Sequence, residues 1–150
     1  MTIDSRSETL AFDDIRVGDA LHTFDLPVTA TVIVAGAIAS RDFMPVHHDR
    51  TFAESQGSPD IFMNILTDNG LCSRYLTDWA GPEAMLKKLA IRLGVPAFPG
   101  STLTFNGSVT GKVEGDGEGL VEVAFAGTND LGDHVSGTAT LSVPLSGPRS

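Results

Sequence analysis

Apolar and polar residues alternate through the second half of the chain with a period of two, the spacing typical of strands that bury one face. We interpret four such stretches as antiparallel strands. Their apolar positions are Leu89, Ile91 and Leu93; Leu103, Phe105 and Val109; Val121, Val123 and Phe125; and Ala139, Leu141 and Val143. Glycine-rich segments at 115–119 and 129–132 lie between the later strands and predict hairpin turns.

The first half of the chain has a different pattern. Residues 21–28 still resemble a strand, but residues 31–40 are almost entirely apolar. Their alanine content, with Thr29 or Thr31 as N-cap, favours a buried helix. The β-branched residues at 32–34 leave a strand open as the alternative.

A loop and a short helix are predicted next. Pro45 ends the element before it, so the segment around it is expected to be a loop. The helix that follows covers residues 49–56, with Asp49 as its cap and Gly57 at its end.

The clearest helix of the chain is predicted between residues 58 and 81. Ser58 can cap it, Pro59 suits its first position, and Gly81 followed by proline ends it after about five turns. Apolar residues recur along it at helical spacing: Ile61, Ile65, Cys72, Leu76 and Trp79.

A strand, several helices and then four consecutive strands form an α+β order. We expect a single hotdog domain over residues 1–150, in which an antiparallel sheet wraps around the long central helix. The polar segments 1–10 and 146–150 are expected to be weakly ordered tails.

Composition narrows the functional classes. The net charge of −9 and the pI near 4.6 argue against a nucleic-acid partner, because polyanions would be repelled. No apolar stretch reaches the length of about 18 residues that a membrane span requires. Cys72 is the only cysteine and has apolar neighbours, so we expect a buried thiol and a reducing, cytoplasmic location.

Residues 41–49 hold the densest group of chemically active side chains, in the predicted loop. Asp42 and His47 are five residues apart, and the turn at Pro45 can bring both to one point. A carboxylate and an imidazole that share one water form a general acid/base pair. Two ordinary surface residues are the alternative. A metal site is not expected, because adjacent His47 and His48 rarely face one ion and no further ligands recur at metal-binding spacing.

The run Asp42-x-x-Pro45-Val46-His47, followed by Ala53, resembles the motif of the MaoC-like (hydratase-2 type) enoyl-CoA hydratase family. The segment 12–19 is similar to the entry region of its domains. Within that family, five longer runs resemble the small subunits of bacterial steroid side-chain enoyl-CoA hydratases. These runs are RDFMPVHHDR, QGSPDIFMNILTDNGL, RYLTDWAGP, RLGVP and LGDHVSGTA.

The resemblance implies that Asp42 and His47 activate water for addition to a 2-enoyl-CoA, with the (R)-3-hydroxyacyl configuration where the product carbon is a simple chiral centre. An oxyanion site is also required, and N–H groups at a helix N-terminus provide one. In the family a glycine near the start of the central helix is the donor; Asn64 aligns there, so we expect its backbone N–H to serve. Met44 departs from the family pattern, which has an asparagine there.

The resemblance further implies an acyl-CoA substrate, with coenzyme A entering as part of it and no separate cofactor. Few cations are available for its phosphates, and we consider Lys87, Lys88, Arg92 and Lys112. This shortage, with the resemblance, predicts a heteromer with a larger MaoC-like subunit. The alternatives are a homodimeric hotdog hydratase or thioesterase acting on ordinary fatty acyl-CoA, and a non-catalytic acyl-CoA-binding subunit.

The remaining ionisable residues are expected to have ordinary roles. Asp68 and Asp78 on the long helix are interpreted as solvated or interface charges, and His134 in its turn likewise. His48 is expected to point away from His47. If Asp42 follows a helix C-terminus, the negative end of the helix dipole should favour its protonated form.

Overall fold

The computed structural model describes residues 8–145, so residues 1–7 of the predicted tail 1–10, and the whole predicted tail 146–150, lie outside the described residues. Two short 3-10 turns, Phe12–Asp14 and Pro45–His47, accompany three α-helices and five strands. The helices are α1 (Ala30–Ala39), α2 (Arg50–Ser55) and α3 (Ile65–Ala80). The strands are β1 (Phe24–Pro27), β2 (Met85–Leu93), β3 (Thr102–Gly115), β4 (Glu118–Asn129) and β5 (Gly132–Val143).

The five strands form one antiparallel sheet in the order β1-β3-β4-β5-β2, which confirms the four predicted strands and the strand-like segment before them. A two-residue turn joins β3 to β4. Its residues, Asp116 and Gly117, have φ angles of 51° and 79°. Positive φ at both positions matches the right-handed twist of the strands that the turn connects.

The central helix α3 lies against the inner face of this sheet, which confirms the predicted α+β arrangement. Tyr75 packs on Phe105 of β3 with ring centroids 5.3 Å apart, and its hydroxyl donates to the His22 carbonyl at 2.9 Å. The apolar and aromatic helix residues that are buried are Cys72, Tyr75, Leu76, Trp79 and Ala80.

The predicted start of α3 was wrong, because the helix begins at Ile65 and not at residue 58. Residues 61–63 are instead in a loop that bonds to other segments: Met63 donates its N–H to the Ala97 carbonyl at 3.1 Å. Asn64 is the true N-cap, since its side chain accepts the Thr67 N–H at 3.1 Å. Helix α3 therefore starts directly after the buried residue Asn64.

The other helices match their predictions more closely. Thr29 caps α1 by accepting the Val32 N–H at 3.1 Å, and Asp49 caps α2. However, α1 is not buried as expected: only Ile33 and Ala37 are fully covered. Ile38 is 54% exposed, so this apolar helix lies on the surface of the single chain.

Within the predicted N-terminal tail, Thr9 and Leu10 are attached to the end of α3. Leu10 donates its N–H to the Ala80 carbonyl, and Thr9 accepts the Glu83 N–H, both at 2.8 Å. Across residues 8–145 no helix is long and apolar enough to cross a bilayer.

Candidate active site

The end of α1 positions Asp42. Arg41 has a left-handed φ of 59° and donates its N–H to the Ile38 carbonyl at 3.0 Å. The Asp42 N–H bonds the Ala37 carbonyl at 2.9 Å. This pair of bonds is a Schellman cap, which turns the chain sharply off the helix. Asp42 is thereby fixed by the backbone of α1 and not by a flexible loop.

Both oxygens of the Asp42 carboxylate accept hydrogen bonds. Oδ2 accepts the Asn64 side-chain amide at 2.9 Å, and Oδ1 accepts the Met44 N–H at 3.3 Å. The Asn64 amide, and after it the Met44 N–H, hold the pKa of Asp42 below its ordinary value. The expected rise in the pKa of Asp42 was therefore wrong, because these direct hydrogen bonds outweigh the effect of the helix dipole.

His47 lies on the 3-10 turn that follows Pro45 and is buried. Its Nδ1 donates to the Phe62 carbonyl at 2.7 Å, and the Phe62 ring packs edge-on against the imidazole. Because a carbonyl only accepts, Nδ1 carries a hydrogen, and Nε2 faces the site. The distance from Nε2 to Asp42 Oδ2 is 3.5 Å. One water can therefore contact both groups.

Asn64 connects this pair to α3, through a side chain whose role the sequence did not reveal. Its amide nitrogen donates to Asp42 and to Ser40 Oγ, the latter at 3.0 Å. Its amide oxygen accepts from the backbone and the hydroxyl of Thr67. Its capping role was detectable, since asparagine is a preferred N-cap residue. The predicted role of its backbone N–H in an oxyanion site stays a prediction.

The interpretation of Asp68 and His134 as ordinary surface charges was wrong. His134 Nε2 lies 2.9 Å from Asp68 Oδ1, and the side chains are only 3% and 0% exposed. The other ring nitrogen, Nδ1, lies 2.6 Å from the Val95 carbonyl. The two residues are 66 positions apart, and the packing of α3 on β5 brings them together.

The remaining side chains of the site region agree better with expectation. His48 is exposed, and its Nε2 lies 3.3 Å from the Phe43 carbonyl. Asp78 pairs with Arg74 at 3.2 Å on the surface of α3. Cys72 is fully buried, which confirms the predicted buried thiol, and this burial raises its pKa to about 12.

The candidate cations for coenzyme A differ in their surroundings. Lys87 is paired with Glu118 at 3.2 Å, and Lys88 lines a shallow outer cavity. Arg92, four residues beyond Lys88 on β2, lies about 14 Å further along the sheet, toward the start of α3. Lys112 is used structurally, since its ammonium donates to two backbone carbonyls at 2.6 and 2.7 Å.

The fold and the Asp/His pair define a hotdog domain of hydratase type, and comparison with known proteins agrees. Residues 15–129 match the family described as MaoC like domain. The chain is 51% identical over 127 residues to the 3-oxo-4,17-pregnadiene-20-carboxyl-CoA hydratase beta subunit of Mycobacterium tuberculosis. That match covers 85% of this chain and 95% of the relative. The chain therefore belongs to the family of MaoC-like domains.

One solved structure supports this assignment, and a second shares the fold. The ChsH1-ChsH2 complex of Mycobacterium tuberculosis contains a chain 52% identical, with a TM-score of 0.79 over 85% of this chain and 98% of that one. The R-hydratase PhaJ1 of Pseudomonas aeruginosa has a TM-score of 0.83 over 93% of this chain and 89% of that one. At 20% identity, the second comparison shows the shared fold alone.

Proposed function

We propose that this chain is the catalytic subunit of an enoyl-CoA hydratase that adds water across the 2,3 double bond of a steroid side-chain acyl-CoA. The observation that carries the proposal is the Asp42–His47 pair, 3.5 Å apart and held from both sides. The M. tuberculosis relative named for hydration of a pregnadiene carboxyl-CoA supports the substrate class.

In the proposed reaction, one water lies between Asp42 Oδ2 and His47 Nε2. The pair removes a proton from this water as its oxygen attacks C3 of the enoyl thioester, and a proton is then delivered to C2. Asp42 enters the reaction ionised, because its pKa is lowered by the Asn64 amide. With a steroid ring carbon at C3, the product is a tertiary alcohol.

The thioester oxygen becomes negative during attack and needs hydrogen-bond donors. We assign this role to the N-terminus of α3, where the first N–H groups have no intrahelical carbonyl to bond. The Thr67 N–H is already used by the Asn64 side chain. The Asn64 backbone N–H is the donor we propose, and the positive end of the 16-residue helix supports a developing negative charge there.

A partner subunit is part of the proposal. Phe43, Met44, Ile65 and Leu66 border the catalytic residues in sequence and are between 48 and 64% exposed. Such apolar exposure beside a reaction that benefits from exclusion of water indicates a site that another surface closes. The related chain in the ChsH1-ChsH2 complex supports a heteromer with a MaoC-like partner. A partner would also supply cations that this acidic chain lacks.

We further propose that the substrate is the acyl-CoA itself, with no separate cofactor, and that Lys88 and Arg92 remain open for its phosphates. Lys87 would first have to leave Glu118. The buried, unpaired Cys72 is consistent with a reducing compartment such as the cytoplasm.

The test is hydration by the chain co-purified with its partner. Asp42→Asn and His47→Ala should each lower kcat by roughly 10²- to 10⁴-fold, the usual scale for an acid/base group. His48→Ala is the matched control, because it removes the neighbouring imidazole and should leave kcat nearly unchanged. Near wild-type turnover in Asp42→Asn would contradict the catalytic assignment and favour a non-catalytic subunit.

A second measurement addresses the substrate. We expect kcat/KM of the complex to be far higher for a steroid-type enoyl-CoA than for crotonyl-CoA, while the chain without a partner is poorly active. Equal preference, or full activity of the isolated chain, would instead support a homodimeric enzyme for ordinary fatty acyl-CoA.

A further inference from the structure

The buried Asp68–His134 pair lies outside the acid/base site but beneath the same end of α3. Asp68 is in the first turn of the helix, four residues after the N-cap Asn64 and therefore about 6 Å along the axis. On a helix surface, residues four apart are neighbours. The carboxylate of Asp68 is thus adjacent to the residue that bonds Asp42.

Both ring nitrogens of His134 face acceptors: the Val95 carbonyl at 2.6 Å and Asp68 Oδ1 at 2.9 Å. An imidazole satisfies two acceptors only when both nitrogens carry hydrogen, so this geometry fits an imidazolium beside a carboxylate. Burial lowers the pKa of His134, but the hydrogen bond and charge of Asp68, with the Val95 carbonyl, raise it overall. Within residues 8–145, Asp68 Oδ2 has no hydrogen-bond partner.

The pair is also linked to the start of α3 through the segment 94–97. Gly94 donates its N–H to the His134 carbonyl at 2.8 Å, and the Ala97 carbonyl accepts the Met63 N–H at 3.1 Å. Met63 directly precedes Asn64. Backbone hydrogen bonds therefore connect His134, through this segment, to the residue that precedes Asn64.

We propose that His134 is a positioning residue for hydration, whose positive charge balances the buried carboxylate of Asp68 beneath the helix end where the enolate oxygen forms. The inference rests on the proposed function. An unbalanced carboxylate there would oppose negative charge on both the enolate and Asp42. Burial makes this repulsion poorly screened by salt.

Other titratable groups near the pair do not replace this charge. Cys72 lies one turn further along α3, and the charge of Asp68 contributes to its raised pKa. Asp133 precedes His134 on β5 and is exposed. Arg92 on β2 lines an outer cavity, and the segment 94–97 has no ionisable side chain. Asp42 and His47 are the acid/base pair itself, so the experiment must cancel any pH effect that they contribute.

The experiment compares the complex carrying Asp68→Asn, His134→Gln or both substitutions. Glutamine keeps a donor toward Asp68 but carries no charge, so kcat should fall about tenfold or more. Asp68→Asn removes the buried carboxylate, so no negative charge is left unbalanced, and kcat should fall by less than about threefold. The double variant should recover most of the loss seen in His134→Gln. KM should change little, and Asp78→Asn, which removes a surface charge from the same helix, is the matched control.

The pH dependence separates charge balance from a merely structural clamp. The wild-type protein, relative to the double variant, should lose kcat at high pH as His134 loses its proton. The ratio of kcat to that of the double variant cancels pH effects that both proteins share, including those of the acid/base site.

Equal losses in Asp68→Asn and His134→Gln, with no recovery in the double variant, would overturn the inference. If His134→Gln does not fold, the ratio of the wild-type kcat to the kcat of the double variant still tests the inference. A ratio that stays constant up to high pH would overturn the inference. Absence of hydration by the wild-type complex would contradict the proposed function itself.

Discussion

Asn64→Ala is the most informative single substitution, because one side chain both caps α3 and holds Asp42. Loss of an N-cap costs about 1 kcal/mol. Loss of a hydrogen bond to a charged group costs about 1.5–3 kcal/mol, and the lower end applies because the Asp42 side chain is 25% exposed. We therefore expect the free energy of unfolding to fall by about 2–3 kcal/mol.

The same substitution should change the pH dependence of activity. The lowered pKa of Asp42 contributes stability that is complete above the ordinary aspartate pKa and is lost as the pH falls through the folded value. Without the amide, the pKa of Asp42 rises, so the acid limb of kcat/KM moves to higher pH. Asn64→Asp keeps a capping oxygen but adds a like charge, so it should move that limb further with less loss of the cap.

Denaturant unfolding and pH–rate profiles of the complex measure both effects, at one protein concentration because assembly contributes to stability. Thr29→Ala is the control, since it removes the N-cap of α1 and should cost about 1 kcal/mol without moving the acid limb. If Asn64→Ala costs no more than this control and its acid limb stays in place, the assigned coupling to Asp42 is wrong.

Three further predictions concern the packing around the site. Gly36→Ala should lower the free energy of unfolding, measured in denaturant, by about 1–3 kcal/mol, because its Cβ would lie 2.2 Å from Thr67 Oγ1. Gly70→Ala meets open space and should raise that free energy by about 1 kcal/mol. Arg41→Gly should raise the unfolding free energy by up to about 1 kcal/mol by relieving the left-handed φ of 59°; a loss would show that this residue has other contacts. Lys112→Met should destabilise the fold by about 2 kcal/mol without changing KM, and a raised KM would make it a coenzyme A ligand.

Strands were predictable because alternation reports directly which side chains meet the core. The end of α3 was also predictable, but its start was not. Ser58 and Pro59 are good helix-start residues, but an ion pair between Arg50 and Asp60, at 2.9 Å, holds this segment against α2. Met63 then pairs with Ala97. These contacts join residues far apart in sequence, and local propensity carries no record of them.

The contacts of the site also separate into those that the sequence could predict and those that it could not. Asp42 and His47 are separated by one turn of chain, so their meeting could be predicted from spacing and resemblance. The partners of Asp68 and Asn64 could not, since His134 is 66 residues from Asp68 and Asp42 is 22 residues from Asn64. Both contacts depend on how α3 sits in the sheet, which only tertiary packing determines.

Met44, the departure from the family pattern, has a physical answer in these contacts. A side-chain amide is absent at this position, but the backbone N–H of Met44 donates to Asp42 Oδ1 whatever side chain is present. The amide donor comes instead from Asn64, on the opposite side of the carboxylate. Both oxygens of Asp42 are therefore anchored, and Oδ2 is directed to His47. The carboxylate of Asp42 thus stays anchored although position 44 lacks a side-chain amide. The exposed apolar side chain of Met44 leaves a surface where a partner or a large acyl group can pack.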